Sequence, residues 1–583
     1  MADSIQRHAA PNLADASFPI DLSPMLGRVF MARGARCSDD IDLSMSSLLS
    51  PSLLMGIDAA VDLIIAAMES DARILIVGDF DADGATSCAL AIRAFEAMGH
   101  SDVRFIVPNR FEYGYGLTPE IVDLAKPQNP SLIITVDNGI SSVEGVAAAR
   151  AAGIDVLVTD HHLPGHQLPN ANVIVNPNQH GCEFPSKALA GVGVIFYVMS
   201  AVRAGLRKKQ WFNDTRKEPN MADFLDLVAL GTVADVVPLD KNNRILVEQG
   251  LRRIRVGKCS AGIRALIEVS GRSAAKLIAS DMGFALGPRL NAAGRLDDIS
   301  IGIACLLTND VAMAKDIATE LDSMNQDRRQ IEQGMQVQAE TALARLEQDK
   351  STELPIGMCL FNDEWHQGVV GILASRIKDL HQRPVICFAL ANDSEDCSEL
   401  KGSARSIKGF HIRDALDAVA AHNPGLIDKF GGHAMAAGLS LKKDKFADFS
   451  KAFDKEASRL LTEDDLQSCV MSDGALAPDE ISIDNATLIH YATPWGQLFP
   501  EPIFDNEFLV VQQRIVGSKH LKLVLGMDDG TGQIVDAIAF NIDIKAWPDE
   551  SVKKVRAAYR LDVNRFRGQE TVQLIIEHLE KVS

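Results

Sequence analysis

At 583 residues, with 47% hydrophobic and 23% charged residues, the chain has the composition of ordinary globular protein and is too long for one core, so about three or four domains are expected. A net charge of −20 argues against a protein that coats nucleic acid over its whole surface, while leaving room for a basic channel on an acidic body. The nine cysteines include no CxxC pair, which points away from a zinc ribbon or a disulfide framework and towards a reducing, cytoplasmic compartment.

The first stretch, MADSIQRHAAP, has no basic flank followed by an apolar core, so no signal peptide is expected. Residues 1–53, with Pro11, Pro19 and Pro24, read as an arm laid over the first domain. From Leu54 an α/β alternation begins: a helix to Met68, a strand Arg73–Gly78, a helix Ala85–Met98 and a strand Val103–Val107. It continues with a strand Leu132–Val136, a helix Val143–Ala152 and a strand Asp155–Thr159. This pattern predicts a mainly parallel sheet, whose ligand site lies beyond the carboxyl ends of its strands. Each strand ends in polar residues: GDFDAD, PNRFEYGYG, DNG and DHH. Four polar clusters should therefore meet at one edge of the sheet.

Ala188–Val202 is an uncharged run of 15 residues. It falls short of the roughly 18 to 20 needed to span a bilayer and reads as a buried helix, so no membrane association is expected. Helical sequence then dominates to about Asp310 and contains LVALGTVADVVPL (227–239) and GFALGPRLNAAGRL (283–296). Residues 310–350 lack proline and carry Ile317, Leu321, Met324, Ile331 and Met335 at helical spacing, which predicts a long helix joining two domains. A second α/β domain is expected over 351–465, with KGSARS (401–406) and FGGHAMAAG (430–438). Short alternating strands over 466–583 predict a small β-barrel. The fold class is thus multidomain α/β with a C-terminal barrel.

The chemistry starts from Ile74–Ser87, ILIVGDFDADGATS, where Asp79, Asp81 and Asp83 follow four apolar residues. Carboxylates so close repel one another unless a cation holds them together; the alternative is an acidic turn capping a helix. Asp137, Asp160, His161, His162 and Asp235 add carboxylates and imidazoles, a donor set suited to Mn²⁺ or Mg²⁺. So many carboxylates favour two ions. At about 3.5 to 4 Å apart, two ions would activate a water and stabilise both the attacking and the leaving oxygens of a phosphoryl centre. Phosphodiester hydrolysis is the expected reaction class.

In this order GDFDADG, VDNG, the Asp160–His162 triplet and ADVVPL resemble the four motifs of the DHH phosphoesterase family. GSARS and FGGHAMAAG resemble its associated substrate-binding domain. The resemblance runs from about Leu54 to Leu439. The β-rich C-terminal region narrows it to the family's bacterial branch of exonucleases specific for single-stranded DNA. It implies Asp81, Asp83, Asp137, His161 and Asp235 as metal ligands, with Asp137 bridging two ions. His162 would face the scissile phosphate and Asp160 would orient its neighbours. Many members place a histidine ligand four residues before Asp81, where this chain has Val77, and Asp79 is the expected substitute.

Ser403 and Arg405, with Gly431, Gly432 and His433, offer the hydroxyl, guanidinium and approachable N–H groups that a phosphate needs. Arg110, Arg289, Asn291 and Arg295 are expected to hold the adjoining backbone or the 5′ end, and Tyr115 to stack on a base. Arg514, Lys519, Lys522, Arg565 and Arg567 would track a strand if the barrel is an oligonucleotide-binding (OB) fold. The resemblance further implies 5′ to 3′ action releasing mononucleotides, a role in DNA repair and recombination, and work beside a DNA helicase and single-strand-binding protein. Two other readings stand beside it: a phosphodiesterase for short oligoribonucleotides or cyclic dinucleotides, and a non-catalytic single-strand-binding scaffold.

Overall fold

A short strand, β1 (Ser4–Arg7), and the helix Pro24–Ala32 start the chain in a computed structural model. It describes residues 4–9, 11–108, 116–348, 354–391, 398–467, 469–517, 519–528, 532–544, 546–566 and 568–582. The first domain is built on β2 (Ile74–Gly78), β3 (Val103–Ile106), β4 (Leu132–Val136), β5 (Asp155–Thr159) and β6 (Val173–Val175). They form one parallel sheet in the order β3-β2-β4-β5-β6. ILIVG and LIITV are buried throughout, as continuous apolar strands covered on both faces must be. Leu75 and Val77 pack with Ile121, Val122 and Val146 on one face, while Ile74 and Ile76 join the main core on the other.

The register sets the site. Gly78 pairs with Val136, Val136 with Thr159, and Thr159 with Val175, so four strands end flush. The order also reverses between β2 and β4, the crevice where parallel sheets bind ligands. The helix after β2 begins at Ala82, three residues before the expected start, because the Asp81 carboxylate accepts the Asp83 and Gly84 N–H groups at 2.9 and 3.0 Å. Asp83 thereby lies inside the first helical turn.

Three residues after its start the uncharged run enters the helix Gly191–Lys208, and there Val192, Ile195, Val198 and Met199 are fully buried. Among the described residues no single helix is long and apolar enough to cross a membrane. The helix Val311–Gln348 has 38 residues and so spans roughly 57 Å at 1.5 Å per residue. Ala314, Ala318 and Leu321 complete the first core, and Met335, Ala339 and Leu343 join a second one with Trp365, Leu373 and Ile377.

That second domain holds β7 (Met358–Phe361), β8 (Val385–Leu390), β9 (Glu399–Arg405), β10 (Lys429–Gly432) and β11 (Ala436–Lys442), in the order β10-β11-β9-β8-β7. After β12 (Cys469–Ser472), the chain closes a barrel from β13 (Phe504–Val516), β14 (His520–Met527), β15 (Ile534–Ala539), β16 (Lys554–Phe566) and β17 (Gln569–Val582). Arg567 lies outside the described residues.

The N-terminal arm departs from expectation. Leu43 and Leu49 do bond to the first domain, through Gln249 and Asn242. The residues before them are bound to the C-terminal region: β1 pairs with β12, Phe30 stacks on Trp495, and Arg33 makes a buried ion pair with Asp473 at 2.8 Å. Arg7 meets the fully buried Asp505, which also accepts from Arg556 and Ser472. A buried carboxylate requires such partners, and one of them, Arg7, lies 498 positions away along the chain.

Candidate metal centre

Because four strands end in register, Asp79, Asp81 and Asp83 after β2, Asp137 after β4, and Asp160, His161 and His162 after β5 meet at one edge. Asp235 joins them from the end of the helix Leu225–Ala234. Three overlapping groups have donor atoms within 4.8 Å of one another: Asp79, Asp81 and Asp137; Asp83, His161 and Asp235; Asp137, His161 and His162. Val77 offers no ligand atom and packs with Leu75 in the apolar layer on one face of the sheet.

The backbone is shaped around this cluster. Asp137 has φ +62, a left-handed conformation rare for a residue with a side chain. A Cβ at Gly191 would lie 2.7 Å from Asp137 Oδ1, so only glycine fits there. The Gly191 and Val192 N–H groups, at the start of their helix, donate to the two Asp83 oxygens at 2.6 and 2.9 Å. Asp160 is fully buried; Oδ1 accepts from the His161 and His162 backbone and from His162 Nδ1 at 2.8 Å, and Oδ2 accepts from the Ile140 N–H.

The electrostatics fit a divalent cation. Burial and the charge of Asp81 push Asp83 up to about 7. Burial and the surrounding carboxylates hold Asp137 and Asp235 well above the usual carboxylate range. Burial also takes His161 down to about 4, so its ring is neutral at physiological pH, the form that ligates metals. His161 Nε2 lies 3.1 Å from Asp137 Oδ1 and 3.5 Å from Asp235 Oδ2. Neither Nε2 nor Asp235 Oδ2 makes a hydrogen bond, although both are buried. The hydrogen bond of His161 to the Leu189 backbone therefore falls on Nδ1 and leaves the Nε2 lone pair facing the carboxylates.

His162 differs from its neighbour. Burial disfavours its charge, but the hydrogen bond and charge of Asp160 raise its pKa above the ordinary value. Burial opposes the charge of Asp160, but the His162 hydrogen bond, the neighbouring histidines and the Ile140 N–H together hold its carboxyl below the ordinary value. His162 lines a cleft of about 1050 Å³ whose other wall, from the second domain, includes Gly431, Gly432 and His433. The His162 and His433 rings lie 6.3 Å apart and 20° from parallel, so the two domains meet over the centre.

The remaining expected residues divide. Ser403 and Arg405 sit on β9 against the start of the helix Val370–His381, where a Cβ at Gly371 would come within 2.8 Å of Ser403 Oγ and 2.9 Å of Arg405 Nη2. A hydroxyl, a guanidinium and a helix N-terminus thus converge. Arg295 reaches the Gly368 carbonyl beside them at 3.3 Å. Arg289 and Asn291 depart from expectation. Arg289 is buried and paired with Asp322 at 2.6 Å, which braces its helix against the long one. Asn291 Oδ1 accepts the Ala82 N–H at 2.8 Å and so holds the acidic loop. Arg110 and Tyr115 lie outside the described residues.

Several positioning groups carry no motif of their own. Asn138 ties the Val77 and Val136 carbonyls together, and Asn176 and Asn178 hold the His162 and His161 carbonyls. Asn176 directly follows β6, so the rule that strand ends carry the site extends to a fifth strand. Asn291→Ala should weaken Mn²⁺ binding by roughly 10- to 100-fold, the usual effect of losing a group that orients ligands. Calorimetric titration would measure it, and unchanged affinity would show that the loop holds itself.

Residues 73–232 match the DHH family, N-terminal domain, residues 355–459 the DHHA1 domain, and residues 472–578 the RecJ OB domain. The single-stranded-DNA-specific exonuclease RecJ of Dickeya dadantii is 55% identical over 567 residues, 97% of each chain. That of Escherichia coli is 53% identical over 565 residues, again 97% of each. The crystal structure of RecJ from Thermus thermophilus in complex with Mn²⁺ superposes with a TM-score of 0.81 at 28% identity, covering all of this chain and 80% of that one.

Proposed function

Because the chain belongs to the RecJ family of single-stranded-DNA-specific exonucleases, we infer that it hydrolyses single-stranded DNA from a 5′ end with two Mn²⁺ or Mg²⁺ ions and releases mononucleotides. One observation carries this reading: carboxylates and a neutral imidazole from the ends of three strands and one helix converge at the edge of a cleft closed by a second domain. Asp79, Asp81 and Asp137 would hold one ion, and Asp83, His161 and Asp235 the other; Asp137 Oδ1, 3.1 Å from His161 Nε2, lies where the two sets meet. When bound, the ions supply Lewis acidity to an attacking water and neutralise charge on the phosphoryl oxygens.

The chain's own residues do the rest. Asp160 orients His162 through Nδ1 and favours its charged form, and the ring faces the phosphate from the cleft wall. His433 approaches from the opposite wall. Ser403, Arg405 and the start of the helix Val370–His381 form a phosphate cradle in the second domain, which suits a strand terminus rather than a mid-strand segment. That cradle supports exonuclease action. The 5′ polarity, the part in repair and recombination, and cooperation with a helicase and single-strand-binding protein follow from the family's chemistry.

The test is to incubate the protein with 5′- and 3′-labelled single strands of DNA and RNA, in Mn²⁺ and in chelator. Mn²⁺-dependent release of mononucleotides from the 5′ end of DNA is expected. Intact labels throughout would leave a binding scaffold, preferred cleavage of short RNA an oligoribonuclease, and attack from the 3′ end would reverse the polarity.

A further inference from the structure

Among the described residues only two phenylalanines are strongly exposed: Phe540 at 53%, which packs edge-on against His520, and Phe284 at 79%. Phe284 sits on a π-helical turn, Met282–Leu286, whose Met282, Ala285 and Leu286 are buried. The extra residue of such a turn changes the direction of the side chains that follow, and these turns recur at functional sites. Here it leaves an aromatic ring in solvent while its neighbours anchor the backbone.

The place of this turn gives the ring its use. A Cβ at Gly283 would lie 3.3 Å from Val233 Cγ1, and one at Gly287 would lie 3.0 Å from Ala234 Cβ. The turn therefore packs directly on the two residues that precede Asp235 of the metal centre. Immediately after Asp235 comes Val236, 65% exposed with φ +60, a strained conformation for a β-branched residue. Two large apolar side chains thus stand in water, one directly after Asp235 in the chain and one on the turn packed against the two residues before it. The same helix that continues from the turn carries Asn291, which holds the acidic loop.

We propose that Phe284, on the turn packed against the residues that lead into Asp235, is the platform on which an unpaired base of the substrate strand stacks beside the metal centre. The inference rests on the nuclease reading and identifies how the strand is gripped there. A chain of net charge −20 gains little from long-range attraction to a polyanion at its most acidic edge. A ring with no hydrogen-bonding partner binds any base by its π-face, as an enzyme indifferent to sequence requires. Bases inside a duplex are already stacked and paired, so the platform rewards only an unpaired strand.

The test compares a 5′-phosphorylated oligothymidylate with the same strand carrying abasic residues at its second to fourth nucleotides. Phe284→Ala should raise KM for the intact strand roughly 5- to 100-fold, with kcat little changed, the effect of removing one base–aromatic stack. On the abasic strand the variant and the wild type should be alike. Phe284→Trp should keep the wild-type KM, and its added fluorescence should be quenched by the intact strand in chelator. That arm needs no hydrolysis and so stands even if the nuclease reading fails. An unchanged KM for Phe284→Ala, an equal loss on both strands, or unquenched Trp emission would overturn the proposal; the second would point to a structural or protein-docking role.

Discussion

Replacing His161 with alanine should lower Mn²⁺-dependent hydrolysis by roughly 10³-fold or more, because a bound ion supplies several kcal/mol of transition-state stabilisation. Asp81→Ala should do the same. Binding of single strands in chelator should remain measurable in both, since neither removes the cradle of Ser403 and Arg405. Stability should move the other way for a buried carboxylate. Burial and neighbouring charges hold Asp235 well above its usual range, so ionising it in the folded protein is unfavourable. Asp235→Asn should therefore melt at a higher temperature than the metal-free wild type while losing activity.

The pH dependence follows from the same cluster. The folded-state pKa of Asp83 is raised to about 7. The stability this contributes is fully present below the ordinary carboxylate range and is lost as pH rises through about 7. Metal binding needs the ionised form. The rise in melting temperature on adding Mn²⁺ should thus be larger above about pH 7 than below it, and smaller in Asp235→Asn. Substantial turnover by His161→Ala, or a metal-induced shift independent of pH, would place the ions elsewhere.

The apolar strands Ile74–Gly78, Leu132–Val136 and Asp155–Thr159 are legible because continuous runs bounded by polar residues have one reading in a parallel sheet. Their endings also announce the site, since a flush register brings whatever follows each strand together. Partner choice is less legible. Asp83 is held by the amides of Gly191 and Val192, more than 100 residues onward, within a run readable only as a buried helix. Arg289 resembles a phosphate ligand by type, yet Asp322 of the long helix claims it. The N-terminal arm carries Arg7 and Arg33, whose carboxylate partners lie in the C-terminal region. Such pairings are set by tertiary geometry, which local pattern does not carry. The Val77 position is instructive for the opposite reason. Period-two alternation assigns it to the same face as Leu75, and its apolar side chain offers no ligand atom, so Asp79 is the carboxylate that groups with Asp81 and Asp137.

Arg405→Ala should lower kcat/KM on 5′-phosphorylated strands by roughly 10- to 100-fold, the size of a lost hydrogen bond to a charged group. Strands with a 5′-hydroxyl should lose much less, because no terminal phosphate is there to miss the guanidinium. The difference between the two substrates matters more than either loss alone. Arg405 also donates to the Ala404 carbonyl at 2.8 Å and to Ser403 Oγ at 3.1 Å, so its removal relaxes β9 as well as removing a charge. A purely structural effect would depress both substrates equally. Arg405→Lys sharpens the distinction: it keeps the charge but not the planar fork that can engage two phosphate oxygens, and should recover only part of the phosphate preference. Equal kinetics on phosphorylated and hydroxyl strands in the wild type would remove the cradle from 5′-end recognition and assign Ser403 and Arg405 to the domain's own packing.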